Sequence, residues 1–442
     1  GRSGVTAIAS LPVREFDQPQ GGLGPLRLLA GPRRGAPESW EEHCDRLGGP
    51  VTARMDHFGP RRLIAVVRRA GLTGRGGGGF PVADKLAAVL SHGPRRVVIA
   101  NGSETEPAAS KDNLLLTIRP HLVLDGLEVA AATIGAEAVA LVVPGEAAGQ
   151  SIAQALSERS ARASGYPEVE VVLSSRDFVA GEETAVISWL EGGPARPRFQ
   201  PPRAVERGWK GRPTLVHNVE TLAHLGLIAR FGADWFRTAG TAAEAGTMLV
   251  TMSGAFERPG VYEVPLGLPL GELFSAACPD RTSQTLLMGG YFGSWLELAG
   301  IGEVPLSRAG LAPLKASPGA GVIHLLPPGT CGVREAHRIA DWLARQSAQQ
   351  CGPCARGLPS LAGALGVVAD PAADHLGVLP MLLRWCSQVE GRGACRHPDG
   401  VVNLIRSTID TFSAELELHE AGRCSGPAAS RLPLPAGRMA IG

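Results

Sequence analysis

Between Gly71 and Pro81 the chain reads Gly-Leu-Thr-Gly-Arg-Gly-Gly-Gly-Gly-Phe-Pro, with five glycines in the six positions 74–79. So much glycine costs too much backbone entropy for a helix or strand, so the segment must be a loop free to take positive φ. Such a loop leaves its N–H groups uncovered, which is how a chain cradles an anion such as phosphate. Lys85 follows where a helix would begin, so its ammonium and the helix N-terminus reach the same anion. A flexible glycine linker is the competing reading. Lysine is scarce, with only Lys85, Lys111, Lys210 and Lys315 among 43 basic residues, which weighs against chance. Neither common phosphate-loop pattern fits: there is no Gly-Lys-Ser/Thr ending and no clean G-x-G-x-x-G after a strand.

At 442 residues and 44% hydrophobic content, the chain can bury several cores and is expected to be multidomain. A net charge of +1 gives no electrostatic case for nucleic acid or an anionic membrane as main partner. The most apolar long segment, Leu122 to Val143, contains Asp125, Glu128 and Glu137. It reads as a helix followed by a strand, and no transmembrane segment is expected. No secretory signal is visible, so a cytoplasmic location is expected. Of eight cysteines, five lie between 331 and 395, a clustering that suggests metal rather than disulfides.

Residues 1–55 form a Gly-, Pro- and Arg-rich extension in which only Glu38 to Leu47 reads as helix. From 56 to 240 the pattern alternates. Arg61–Ala70 is a helix, Arg96–Ala100 a buried strand, Leu122–Ile134 a helix, Ala138–Val143 a strand, Ser151–Ala161 a helix and Glu168–Leu173 a strand. This order predicts a largely parallel sheet covered on both faces, with ligands beyond the carboxyl ends of its strands. Two acidic loops follow strands there, Asn101-Gly102-Ser103-Glu104-Thr105-Glu106-Pro107 and Asp177 to Ala185 with Glu182-Glu183. Carboxylates beside a glycine loop suit hydroxyls and amide N–H groups, which need acceptors; helix caps and surface acids are the plain alternative. Residues 247–312 read as a hairpin (248–254 and 259–265) and a helix (Leu270–Ala277), the order of a small β-grasp-like module with a structural or docking role. Residues 321–421 read as helices at Val333–Gln346, Gly357–Leu365, Leu376–Val389 and Asp399–His419, followed by a flexible tail over 422–442. Cys351 and Cys354 are close enough for one metal centre, with Cys395 following in a glycine-rich turn. Such a pair alone is compatible with zinc or a redox dithiol. Cys331, at a helix start, reads as a structural buried thiol.

Taken together, these segments resemble the flavin-bearing, NADH-oxidising subunit of respiratory complex I and its relatives in soluble hydrogenases and formate dehydrogenases. The family motif G-L-x-G-R-G-G-A-G-F-P-T-x-x-K-W corresponds to Gly71–Leu86, and N-A-D-E-x-E-P-G-x-x-K-D to Asn101–Asp112. Y-I-C-G-E-E-T-A-L corresponds to Phe178–Val186, and G-K-P-T-x-x-N-N-V-E-T to Gly211–Thr221. The resemblance covers about residues 56–420. It implies an α/β Rossmann-like FMN-binding domain, a small β-grasp (soluble-ligand-binding) domain and a C-terminal helical-bundle iron–sulfur domain.

By that resemblance Gly74, Arg75, Gly76, Gly77 and Lys85 hold the FMN phosphate. Asn101, Ser103, Glu104, Gly181, His217, Asn218 and Thr221 line the ribityl chain and isoalloxazine ring, with Phe178 beside them. Glu182 and Glu183 face flavin and nicotinamide as the catalytic pair, and Phe80 and Glu106 belong to the NADH side. Cys351, Cys354 and Cys395 ligate an iron–sulfur cluster.

The departures are specific. Ser103 replaces the family aspartate, His217 an asparagine and Phe178 a tyrosine. Ala88 and Arg203 replace aromatic residues of the adenine clamp, and Gln200 a lysine. Ala348 stands where the family has its first cluster cysteine, so either Cys386 or His397 is the fourth ligand of a [4Fe–4S] cluster, the cluster is [3Fe–4S], or the site is empty. The expected function is an NADH:acceptor oxidoreductase with FMN, an iron–sulfur cluster and NAD(H) as substrate. It would pass electrons to a ferredoxin-like or other redox protein, or to a membrane-bound complex that would hold it at the inner membrane. The alternative is an electron-transfer or assembly protein of the same fold that is reduced by a ferredoxin-like donor without oxidising NADH.

Overall fold

The computed structural model describes residues 23–31, 36–51, 59–160, 168–199, 201–426 and 432–435. Much of the expected N-terminal extension, Ala161, Gln200 and parts of the expected tail lie outside the described residues. The chain enters through α1 (Trp40–Leu47), then α2 (Pro60–Ala70) and α3 (Val82–Ser91) on either side of the glycine loop. Ser39 and Glu42 cap α1 reciprocally, which satisfies orphan N–H groups of its first turn.

The first sheet consists of β1 (Arg96–Asn101), β2 (Ala136–Val143), β3 (Val169–Leu173) and β4 (Thr214–Asn218), in the order β3-β2-β1-β4. All its pairings are parallel. The central strand β1 is apolar and fully buried from Val97 to Ala100, as a strand covered on both faces must be. Helices α4 (Lys111–Ile118), α5 (Pro120–Ile134), α6 (Glu146–Ser160), α7 (Glu183–Leu190) and α8 (Val219–Phe236) complete this unit. α5 and α8 cross so closely that a Cβ on Gly126 would lie 1.7 Å from the Leu222 carbonyl oxygen. The charges within the apolar segment are internal: Asp125 meets Arg230, Arg159 and His43. Burial alone would raise the Asp125 carboxyl, but Arg159, His43 and Arg230 hold it down at about 2.

β5 (Thr247–Gly254) and β6 (Gly260–Pro265) form the expected hairpin, followed by α9 (Leu270–Ala277), β7 (Thr285–Met288), β8 (Ser294–Glu297), the single turn α10 (Arg308–Leu311) and β9 (Val322–Leu325). The second sheet has the order β6-β5-β9-β7-β8. Its middle strand β9 pairs parallel with β5 and antiparallel with β7, so a segment expected to open the helical zone belongs to this sheet. The N-terminal lead spans both sheets. The N–H groups of Arg27, Leu28 and Leu29 converge on the Glu263 carboxylate of β6, and the Arg27 guanidinium donates to Phe236 O at 2.7 Å at the end of α8.

The C-terminal helices are α11 (Gly332–Arg345), α12 (Leu358–Ala369), α13 (Val378–Val389), α14 (His397–Thr411) and α15 (Ser413–Glu420). The single helix expected over 399–419 is two, broken at Phe412 (φ −107°, ψ 32°). Its ring stands against Trp295 of β8 at 5.3 Å, and that contact outweighs helical continuity. The expectation of a flexible tail also fails where the tail is described. Leu432 is buried and its N–H donates to Glu335 at 2.7 Å, while the Trp342 indole donates to Pro435 O at 3.2 Å.

Candidate functional site

The strand order places a topological switch between β1 and β4, where the connections run to opposite sides and leave a crevice beyond the strand ends. Asn101 closes β1, Asn218 closes β4, and the two are register partners. The glycine loop lies over this point. It leaves α2 through Gly71 (φ +74°) and closes on itself by Gly74 N–H to Phe80 O at 2.9 Å and Val82 N–H to Leu72 O at 3.0 Å. Gly77 and Gly79 have φ of +99° and +63°. A Cβ on Gly76 would lie 3.2 Å from Asn218 Cβ, so only glycine lets the loop settle on the end of β4 without displacing Asn218.

Lys85 reaches back across this loop. Its Nζ donates to Val216 O at 2.8 Å and pairs with Glu183 Oε1 at 2.9 Å. His217 beside it is buried, its Nε2 has no partner, and burial followed by the Lys85 charge pushes its pKa well down. It is therefore a neutral imidazole with a free polar atom inside the site. Arg75 serves differently from expectation. Its guanidinium turns inward onto Thr73 O, Thr73 Oγ1 and Thr247 O, and its N–H donates to Thr221 Oγ1 at 2.9 Å. The side chain is thus committed to holding the loop against β5, and Thr221 supports it from α8.

The two acidic loops converge as expected. Asn101 Nδ2 donates to Gly181 O at 2.9 Å, and Asn101 Oδ1 accepts from Ser103 Oγ at 2.7 Å. Gly181 is required by proximity: its Cβ would meet Thr105 Oγ1 at 2.7 Å. Glu104, expected to face the ligand, caps α4 by accepting from Asp112 N and Asn113 N at 2.7 and 2.8 Å. Its pKa is pushed up to about 8 by burial and then by Asp112. Behind it, Lys111 pairs with Asp112 and Glu220 at 2.8 Å each, and Asn218 Nδ2 donates to Asp112 Oδ2 at 2.7 Å. Burial would lower the Lys111 pKa, but Asp112 and Glu220 raise it. This buried network fixes the Asn218 amide. Glu106 reaches the second sheet, where it accepts from Tyr291 N at 2.9 Å, and burial lifts its pKa to about 7.

Glu182 caps α7 by accepting from Thr184 N and Ala185 N at 2.9 and 3.0 Å, and burial raises its pKa. Glu183, next to it, carries the Lys85 ion pair. Phe178 is not in the crevice. Its ring packs edge-on against Phe292, Trp342 and His397, which makes it the apolar link between the Glu182 loop and the helical bundle. Phe80 is 58% exposed, an unpaired aromatic surface at the mouth of the glycine loop. A cavity of about 380 Å³ lies along α7, lined by Thr184, Ile187, Arg198, Phe199, Pro202 and Arg207. Arg203 is exposed on the adjoining turn.

The three cysteines come together. Cys354 sits in a one-turn π-helix, Pro353–Gly357, a widened turn often found at functional positions. Burial, then Cys351 and Cys395, push its thiol up to about 12, and the Ala348 backbone bonds to its sulfur. Ala348 thus stands beside the thiols at the position of the family's missing cysteine. Cys395 is raised by burial and feels the Glu182 charge, which puts this thiol next to the flavin-side loop. Thiols held above their ordinary pKa and facing one another suit a cationic cluster that takes them as thiolates. Cys386 instead feels burial and then Arg406 and Glu390. His397 Nε2 donates to Leu343 O at 2.8 Å, and its buried Nδ1 has no partner. A further donor group, Cys331, Glu415, His419 and Cys424, was not singled out from the sequence; Glu415 and His419, four apart on one helix face, were the legible signal.

Anion-type loop, switch-point amides, paired glutamates and adjoining thiols define the class of proteins that couple a flavin to an iron–sulfur cluster. Residues 67–226 match the Nuo51 FMN-binding domain, and residues 334–419 match the NADH-ubiquinone oxidoreductase-F iron-sulfur binding region. The chain belongs to the family of NADH-quinone oxidoreductase F subunits. It is 31% identical over 389 residues to the F 2 subunit of the NADH-quinone oxidoreductase of Rhizobium meliloti (strain 1021), covering 84% of this chain and 91% of that one. It is 30% identical over 416 residues to the corresponding F subunit of Mycobacterium tuberculosis (strain ATCC 25618 / H37Rv), covering 88% and 92%. Identity to the HndC subunit of the NADP-reducing hydrogenase of Solidesulfovibrio fructosivorans is 28% over 399 residues, covering 87% and 81%. Among solved structures, a chain of an NAD+-reducing [NiFe]-hydrogenase in the H2-reduced state superposes with a TM-score of 0.77 at 32% identity, over 86% of this chain and 67% of that one.

Proposed function

We infer that this chain oxidises NADH on bound FMN and passes the electrons one at a time, through an iron–sulfur cluster, to a redox protein partner. The observation that carries this reading is the adjacency of the two sites: Glu182, on the loop tied to Asn101 through Gly181, acts electrostatically on Cys395. An electron leaving the crevice between β1 and β4 therefore meets a thiol of the bundle directly. The reading divides the chain into a Rossmann-like flavin unit, a β-grasp unit and an iron–sulfur bundle.

FMN supplies the chemistry of accepting a hydride as an electron pair and releasing it singly. The chain supplies position. The N–H groups of Gly74, Gly76 and Gly77, with Lys85, hold the phosphate, while Arg75 holds the loop. Asn101, Ser103, His217 and Asn218 present amide, hydroxyl and imidazole groups to the ribityl chain and ring, and the His217 Nε2 without a partner fits such a ligand. Glu182 and Glu183 are the acceptors nearest the nicotinamide, with Phe80 as its stacking surface. The α7 cavity, with Arg198 and Arg207, takes the adenosine end of the dinucleotide.

Cys351, Cys354 and Cys395 hold the cluster, and the orphaned His397 Nδ1, two residues from Cys395, favours His397 over Cys386 as fourth ligand. The partner is a one-electron carrier docked on the bundle. Among the described residues no helix is long and apolar enough to cross a membrane, so any membrane attachment by these helices runs through a partner. The test is anaerobic stopped-flow spectroscopy of the flavin-loaded protein. NADH should bleach the flavin and then the cluster bands. A flavin that stays oxidised under saturating NADH but is bleached by reduced ferredoxin overturns the reading.

A further inference from the structure

Cys331, Glu415, His419 and Cys424 offer four ligand atoms that all lie within 4.8 Å of one another. They come from three separate stretches. Cys331 is the N-cap of α11, Glu415 and His419 share one face of α15, and Cys424 follows the end of α15. Cys331 and His419 are each 1% exposed and Glu415 is 8% exposed.

We propose that these four residues form a closed site for a single zinc-class divalent cation, separate from the iron–sulfur cysteines. The histidine is the strongest sign. His419 Nδ1–H donates to Val368 O at 2.9 Å, which fixes the tautomer and leaves the Nε2 lone pair pointing inward. That Nε2 lies 3.1 Å from Glu415 Oε1 and 3.4 Å from Cys331 Sγ. Two acceptors facing each other in a buried pocket repel unless a cation stands between them. A backbone carbonyl behind a histidine is also the usual support of a metal-bound imidazole.

The other donors are braced in the same way. The Arg334 N–H at the start of α11 points at Cys331 Sγ at 3.4 Å, and a helix N-terminus favours the thiolate that a metal requires. Ser425 N–H holds Glu415 Oε1 at 2.9 Å. Two thiolates, an imidazole and a carboxylate make a four-coordinate set that suits zinc better than harder cations, which prefer all-oxygen shells. With all four positions filled by protein, the ion has no open site for chemistry and is structural. It would clamp the start of α11, the helix leading to Cys351 and Cys354, to the end of α15.

The test uses the full chain, purified anaerobically from zinc-supplemented cells with its flavin and cluster, washed with EDTA and assayed for zinc and iron. About one zinc per chain is expected. Cys424→Ser should lower zinc at least tenfold and leave iron and flavin unchanged, whereas Cys395→Ser should lower iron and leave zinc unchanged. Cys424 is half-buried, so this variant keeps the fold where a serine at Cys331 would disturb α11; Glu415→Gln, with the same expected loss, is the second variant. Zinc-edge X-ray absorption should show two sulfur ligands at about 2.3 Å and lighter ligands at about 2.0–2.2 Å. Zinc content equal in the wild type and Cys424→Ser, no zinc in the wild type, or a Cys331–Cys424 disulfide in the anaerobic protein overturns the proposal.

Discussion

Lys85 Nζ sits 2.9 Å from Glu183 Oε1, so the one lysine of the phosphate-loop motif and one of the two paired glutamates share a single ion pair. Removing the ammonium strips a charge-assisted partner from the anion site and leaves Glu183 uncompensated. Such hydrogen bonds are worth roughly 1.5–3 kcal/mol, or about 10- to 150-fold in FMN affinity. Lys85→Ala should therefore purify with little flavin, read by flavin fluorescence per chain. Full flavin content in this variant would show that the lysine does not serve the site.

Gly77 has φ of +99°, a conformation that strains an L side chain by about 1–3 kcal/mol. Gly77→Val should reshape the loop and empty the flavin site while the rest of the fold survives. Flavin content and far-ultraviolet circular dichroism separate the two effects. Retained flavin contradicts the phosphate-cradle reading.

For the cluster, Cys395→Ser should lower the iron count and remove visible absorption beyond the flavin bands. His397→Ala should convert or lose the cluster, whereas Cys386→Ser, at a position flanked by Arg406 and Glu390, should keep it. Electron paramagnetic resonance decides among these forms. A signal in the oxidised wild type marks a three-thiolate [3Fe–4S] centre, and a signal only on reduction marks a fourth ligand. Cluster loss in Cys386→Ser with retention in His397→Ala reverses the assignment.

NADH binding should be weaker than is usual for the family. Ala88 and Arg203 stand where the family has aromatic rings, and each lost stacking contact costs about 1 kcal/mol, or roughly five- to thirtyfold for one or two. Arg203, exposed beside the α7 cavity, can stack its guanidinium on adenine, so Arg203→Ala should raise the apparent Kd further in stopped-flow titrations. An unchanged Kd removes Arg203 from the site.

Glu106 gives a pH signature. Its pKa rises from 4.5 to about 7 on folding because of burial, so between those values the folded chain binds more protons than the unfolded one. Stability is then present below about pH 4.5 and lost as pH rises through 7, by about 3 kcal/mol from this group. Urea midpoints at pH 5 and pH 8 should differ more for the wild type than for Glu106→Gln. Equal pH dependence in the two proteins would show that Glu106 is not the titrating group.

Much was legible in the chain because local chemistry wrote it there. Density of glycine makes a loop wherever it occurs, and apolar runs such as Val97–Ala100 cannot be surface strands. The motifs of Gly71–Leu86, Asn101–Asp112, Phe178–Val186 and Gly211–Thr221 likewise carry the family resemblance without any coordinates. Non-local pairing was not legible. β4 and β9 are short strands whose partners, β1 and β5, lie some seventy or more residues away in sequence, and nothing in a four- or five-residue window names a distant partner.

The same limit governs side-chain roles. The sequence by itself determined which residue types enter the crevice, since spacing and loop chemistry put Glu104, Arg75 and Phe178 near it. Only the tertiary structure decided their use. Glu104 caps α4, Arg75 braces the loop and Phe178 joins the bundle, because a buried polar or aromatic group takes the partner that folding brings closest. Tertiary folding alone also gathered Cys331, Glu415, His419 and Cys424: a donor set split between the start of one helix and the end of another exists only once those helices pack.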